Sequence, residues 1–152
     1  MKMAAGRPTV SLREITADSV RAIVRLSISE PQEDLVADNG CSIAQAHFDE
    51  KAWMRGIYAD ETPVGFVMLW IDRNKPEYYL WRFMIDEAHQ GSGFGRRAMQ
   101  LLIAWVRAEP NATEFTLHVM DRANSARAFY ESLGFEATGE VENEEIVMRL
   151  EL

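Results

Sequence analysis

Three glycines at alternate positions, Gly91, Gly93 and Gly95, followed at once by Arg96 and Arg97, are the residues of this chain best suited to holding an anion. Glycine lets a loop backbone come close to a phosphate because no Cβ stands in the way. The stretch that carries them, residues 78–97, reads YYLWRFMIDEAHQGSGFGRR. Its apolar and aromatic opening favours a half-buried or buried strand. Beyond the glycines, apolar residues return at Phe94, Ala98, Leu101, Leu102, Trp105 and Val106, one face of a helix with a period near 3.6. The order is strand, glycine loop, helix. A helix start leaves several backbone N–H groups unpaired and carries the positive end of the macrodipole, so this order makes a seat for a pyrophosphate. Arg96 and Arg97 stand where the dipole disfavours cations, a placement that suits either an anionic guest or a solvated basic pair.

Two familiar phosphate loops are excluded. Gly93-Phe94-Gly95-Arg96-Arg97-Ala98 matches the dinucleotide fingerprint, and Glu114 lies near the spacing of a ribose-binding acid. In that fingerprint, however, the glycines follow the strand directly, whereas residues 86–92 intervene here, and the chain lacks a full doubly wound set of strands. No Gly-Lys-Ser/Thr follows, so it is not a P-loop either.

The remaining elements position this stretch. Residues 10–15 alternate as a first strand; Thr16 or Asp18 can cap a helix with the stripe Val20, Ile23, Val24 and Ile28. An acidic segment, with Glu30, Glu33, Asp34 and Asp38, ends at Gly40. Ser42 with Gln45 predicts a capping box for a second helix running toward Arg55, ended by Gly56, with Ala46 and Trp53 inward. Strands are expected at 57–60 and 63–71, the second a continuous apolar run and so central. A strand at 115–120, a short helix begun by residues 121–124 and capped by Gly134, and a closing hairpin of 135–141 with 145–150 complete the chain. Because the helix after the glycines is long enough to be a crossover, the strands on either side of it should be parallel. The chain reads as one α/β domain over residues 1–152.

The formal net charge of −8 argues against a nucleic-acid partner and permits a cationic one. Cys41 is the single cysteine, and the histidines, His47, His89 and His118, show no metal-ligand spacing, so neither an intrachain disulfide nor a metal is expected. The start, MKMAAGRP, has no apolar run behind its charges and nothing approaches a membrane span; a soluble cytoplasmic protein is the expectation.

Gln90-Gly91-Ser92-Gly93-Phe94-Gly95 resembles the Q/R-x-x-G-x-G/A signature of the GNAT superfamily of N-acetyltransferases. Residues 124–135, NSARAFYESLGF, resemble that family's segment of an asparagine followed by A-x-x-x-Y-x-x-x-G-F, with Asn124 one residue nearer than relatives usually place it. The two motifs stand in the right order, separated by a helix and a strand. The resemblance implies the family's α/β fold: a mixed, mostly antiparallel sheet of six or seven strands splayed around the cofactor and flanked by about four helices. It implies acetyl-CoA as donor, with its pyrophosphate on the backbone N–H groups of Gln90, Gly91, Ser92, Gly93, Phe94, Gly95 and Arg96. The pantetheine arm would run along Phe83, Met84 and Ile85 like an added half-strand, in a gap between that strand and the one from Phe115, with Asn124 and Phe129 on the far side.

Acetyl transfer to an amine needs a neutral nitrogen and a proton for the departing thiolate. Tyr130 is the candidate acid, because a phenol carries a proton at neutral pH without being ionised at rest. Glu33, Asp34 and Asp86 are candidate bases. Cys41 lies outside every motif, so no covalent enzyme intermediate is expected. Residues 32–39, 42–46, 64–68 and 79–86 further resemble the bacterial spermine/spermidine (diamine) acetyltransferase group, which implies a small cationic amine as acceptor, drawn by an acidic mouth with aromatic walls. Other acceptors, such as an aminoglycoside, an amino acid or a protein N-terminus, and a non-catalytic acyl-CoA-binding sensor stay open. A homodimer is also open, since the closing hairpin offers an edge that can pair.

Overall fold

A computed structural model of the chain describes residues 6–28, 38–122 and 125–152. In chain order these form β1 (Val10–Arg13), α1 (Val20–Arg25), α2 (Asn39–His47), β2 (Ala52–Ala59), β3 (Thr62–Asp72), β4 (Glu77–Ile85), α3 (Phe94–Arg107), β5 (Glu114–Met120), α4 (Arg127–Ser132), β6 (Glu136–Glu142) and β7 (Glu145–Glu151). A short 3₁₀ turn, Glu87–His89, separates β4 from the glycine loop. The strands make one seven-stranded sheet in the order β1-β2-β3-β4-β5-β7-β6. Every neighbouring pair is antiparallel except β4 and β5, the pair joined by the crossover through α3.

The sheet is covered on both faces. Against one lies α3, which buries Phe94, Ala98, Met99, Leu102, Ile103 and Val106 in the larger core with Leu69, Leu80, Phe115 and Leu117. At roughly 1.5–3 kcal/mol for each large side chain, this stripe is the chief reason the helix forms. The buried face is rotated from the expected one: Leu101 is 42% exposed, while Met99 and Ile103 turn inward. Trp105 is half-buried and stacks on Trp53 with ring centroids 4.5 Å apart. On the other face a smaller core joins Ile23 of α1 to Tyr58, Phe66, Met68 and Met84.

The second helix differs from expectation at both ends. Asp38 is its N-cap, accepting from the Cys41 N–H at 2.7 Å, and Ser42 lies inside the first turn, its hydroxyl donating to the Asp38 carbonyl. The chain then turns to strand from Ala52, where Ala52, Trp53, Met54 and Arg55 pair with Trp70, Leu69, Met68 and Val67 of β3. Long-range pairing with a buried central strand overrides local helix propensity there. Gly56, expected to stop a helix, sits within β2, where a Cβ would come within 2.9 Å of the Ile23 side chain. It lets α1 lie close on the sheet.

Between Met68–Arg82 and Leu69–Leu80 the β3–β4 register slips by one, leaving Trp81 as an extra residue in β4. Before it Tyr78 and Leu80 face α3; after it Phe83 and Ile85 do. Arg82 is thereby kept out of the larger core.

Candidate active site

Strands β4 and β5 pair at Tyr79–Thr116 and Leu80–Leu117 and then part. Past that point β4 keeps its β3 partner as far as Gly65–Ile85, while β5 follows β7. The Asp86 N–H bonds the Val64 carbonyl at 2.7 Å, so strand alternation turns the backbone of Met84 to β3 and that of Phe83 and Ile85 into the gap. Of the three residues whose backbone was expected to face the gap, Phe83 and Ile85 turn theirs into it and Met84 turns its own to β3; all three line the cavity.

The gap opens into a cavity of about 690 Å³ lined by β4 (residues 79–85), the glycine loop, the start of α3, β5 (residues 117–120) and α4. At one end the chain builds the anion seat. Gly91 and Gly93 take φ of +83° and +79°, a region that L side chains enter only with strain, and Gly93 caps α3 with no side-chain acceptor. The first intrahelical bond runs from the Arg97 N–H to the Gly93 carbonyl, so the N–H groups of Phe94, Gly95 and Arg96 have no partner within the helix. A Cβ on Gly95 would reach Ile85 at 3.4 Å and Phe129 at 3.7 Å, filling the space beside these donors. A diphosphate fits the donor set.

Of the residues expected here, Gln90, Gly91, Gly93, Phe94, Gly95 and Arg96 line the cavity, as do Phe83, Met84, Ile85, Phe129 and Tyr130; Ser92 does not. The Arg96 guanidinium donates to the Ser132 hydroxyl at 2.8 Å and so ties α3 to α4, while Arg97 donates to the Pro8 carbonyl at 2.6 Å. The Gln90 amide donates to the Ile85 carbonyl at 2.9 Å, folding the loop back on the end of β4.

Tyr130 is held from both sides. Its N–H bonds the Ala126 carbonyl, its carbonyl accepts from Leu133 and Phe135, and Gly134 at φ +103° makes the reversal possible. The ring packs on Phe129 and Phe135, with centroids 5.2 and 5.9 Å away. Burial pushes the phenol well above its ordinary value, so it stays protonated. No hydrogen bond to its hydroxyl is found among the described residues. Phe129 in turn stacks near-parallel on Phe83, 6.2 Å between centroids, and narrows the cavity.

Asp86 is placed differently from expectation. It does not line the cavity; one carboxylate oxygen accepts from the Ser27 N–H at 2.9 Å and the other from the Ala88 N–H at 3.2 Å. Its charge is committed to two amides, which suits an anchor for the segment after α1 and not a base. Glu33, Asp34 and Asn124 lie outside the described residues. Sequence reasoning passed over Tyr79, Trp81, His118 and Glu145, which also line the gap. Tyr79, Trp81 and His118 also wall a second groove of about 620 Å³ on the face away from α3, together with Trp70, Glu77, Glu140 and Glu142. The signal was available in β5, where His118 alternates with the buried Leu117 and Val119 and so must face the other way. Among the described residues no group of three or more His, Cys, Asp or Glu side chains is placed to hold a metal ion, and no helix is long and apolar enough to cross a membrane.

A helix N-terminus with unpaired donors is thus set beside a parallel strand pair that separates. Residues 17–135 match the model of the acetyltransferase (GNAT) family, and the chain belongs to that family. It is 26% identical over 151 residues to the spermine/spermidine N(1)-acetyltransferase of Bacillus subtilis, covering 95% of this chain and 99% of the relative. Among solved structures it is similar to an acetyltransferase from Thermus thermophilus (TM-score 0.77, 19% identity, 95% of this chain and 97% of that one). It is also similar to an N-acetyltransferase from Thermoplasma acidophilum in complex with coenzyme A (TM-score 0.70, 15% identity, 95% and 99%).

Proposed function

We propose that the protein moves the acetyl group of acetyl-CoA to a primary amine of a small cationic acceptor, a polyamine such as spermidine or spermine foremost, by direct attack with both substrates bound. The observation that carries this reading is that the donor-lined cradle at Gly93–Arg96 and the protonated phenol of Tyr130 open onto one cavity in the β4–β5 gap. In this reading the N–H groups of the cradle bind the diphosphate, and the gap-facing backbone of Phe83 and Ile85 pairs with the pantetheine arm as an added strand would. One of those N–H groups polarises the thioester carbonyl as charge builds on its oxygen. Tyr130 gives the departing sulfur its proton.

The polyamine assignment draws on three supports. The Bacillus relative carries that activity in its name. The chain's net charge of −8 favours a cation at long range. The second groove joins carboxylates to Trp70, Tyr79 and Trp81, a lining suited to ammonium groups along an extended chain. The test follows CoA release from acetyl-CoA against spermidine, spermine, putrescine, aminoglycosides, amino acids and peptides. Release with spermidine or spermine far above the rest is expected. Saturable CoA binding with no release from any acceptor overturns the reading in favour of a sensor, and preference for a peptide or an aminoglycoside replaces the acceptor.

A further inference from the structure

We propose that His118 is the general base of this reaction, taking a proton from the incoming ammonium on the face of the β4–β5 gap opposite Tyr130. The inference rests on the acetyltransferase reading above.

Geometry separates the two proton-handling groups. Tyr130 belongs to the core on the α3 face, with Phe135 and Leu117. His118 points the other way from β5, one residue past the last paired position, where the gap begins. It lines both the central cavity and the acidic groove, so an amine passing from groove to gap meets it. Its side chain is 23% exposed, open enough to return a proton to water. The ring stands edge-on to Tyr79, 5.0 Å between centroids, and Glu142 lies 3.6 Å from Nε2.

The alternatives fit less well. His89 also lines the cavity, but it sits at the glycine-loop end, its ring 6.4 Å from that of Phe94 at the start of α3. Asp86 is bound to two amides. The charged and titratable groups that line the cavity with His118 are Tyr79, Arg82, His89, Arg96, Tyr130 and Glu145, and those that line the groove with it are Asp49, Glu77, Tyr78, Tyr79, Glu114, Glu140 and Glu142. Apart from His118, the charged side chains of the groove are all carboxylates, which draw the ammonium toward it.

Protons and bonds balance. The ammonium gives one proton to His118, and the neutral nitrogen attacks the acetyl carbon, forming the C–N bond as the C–S bond breaks. Sulfur takes the Tyr130 proton, the phenolate regains the proton shed by the new amide nitrogen, and His118 releases its own to water. One proton is released for each acetyl group transferred.

The experiment measures kcat/KM for spermidine against pH in the wild type, His118→Gln and His118→Ala. In His118→Gln the rate should fall about 10²-fold with the KM for acetyl-CoA unchanged, and the acidic limb should vanish, leaving a rate that climbs with the amine's own ionisation. Added imidazole should restore part of the His118→Ala rate. A slow His118→Gln that keeps the wild-type limb, with no imidazole rescue of His118→Ala, marks a structural role and overturns the inference while the acetyltransferase reading stands. A wild type inert toward every amine overturns both.

Discussion

The two edges of β4 are built for opposite purposes. Toward β3 it is paired from Glu77 to Ile85 with one slip, and Gly65 lies so close to the Met84 carbonyl that nothing larger than hydrogen fits. Toward β5 it is paired at Tyr79 and Leu80, and the rest of the edge faces a cavity. A sheet ordinarily satisfies its backbone groups on both sides. Leaving one side open within a covered sheet is tolerable only where something else holds the separated strands, and here that is apolar packing. Phe115 and Leu117 of β5 are buried in the same core as Leu80 and the inner face of α3. Side chains bridge the gap that hydrogen bonds do not.

The largest expected effect tests that division. Replacing Phe115 with alanine removes a fully buried ring that packs on Phe135 and should cost about 3–5 kcal/mol in urea unfolding, since β5 has little pairing with β4 to fall back on. A loss under about 1 kcal/mol would mean that β7 alone holds β5. Next comes Tyr130→Phe. Because its hydroxyl has no hydrogen-bonded partner among the described residues, the thermal midpoint should stay put while kcat drops by about 10²-fold and CoA affinity, read by calorimetry, is kept. Parallel loss of affinity and turnover would argue for a packing role instead. On the closed edge, Gly65→Ala drives a methyl group against the Met84 carbonyl and should cost about 1–3 kcal/mol by spreading β3 from β4. Unchanged stability there would show that the closed edge is as compliant as the open one.

The smallest effect is a pH dependence. Burial raises the Tyr130 phenol, so the unfolded chain loses this proton first as pH climbs past about 10. The stability this group contributes is fully present below that value and is lost as pH rises toward the higher folded one, by up to about 1.4 kcal/mol per pH unit. The alkaline slope should be shallower in Tyr130→Phe; equal slopes would place the phenol in water.

Much of this arrangement was legible beforehand. The order strand, glycine loop, helix is written locally, in apolar runs broken by Gly91, Gly93 and Gly95, and the structure has it. Tyr130 was legible from its motif and Gly134 from its place after a helix. Residues 52–55 were not, because a strand that forms by pairing with a distant β3 leaves no period of its own over so short a run. Asp86 looked like a free acid, since sequence does not reveal that the Ser27 amide folds back onto it. His118 was missed for another reason: alternation within β5 tells which way it faces, but only tertiary structure tells what lies there.

The extra residue at Trp81 carries one more consequence. A strand has only two sides, so a single insertion swaps the parity of everything downstream. Without the slip, β4 zipped onto β3 straight from Leu80 would set Trp81 where Arg82 now lies, opposite Met68; Arg82 and Met84 would then turn toward the helix, and Phe83 and Ile85 to the opposite surface. Such a protein would lose its reaction chamber by inversion, with every residue named for that chamber still present in its sequence.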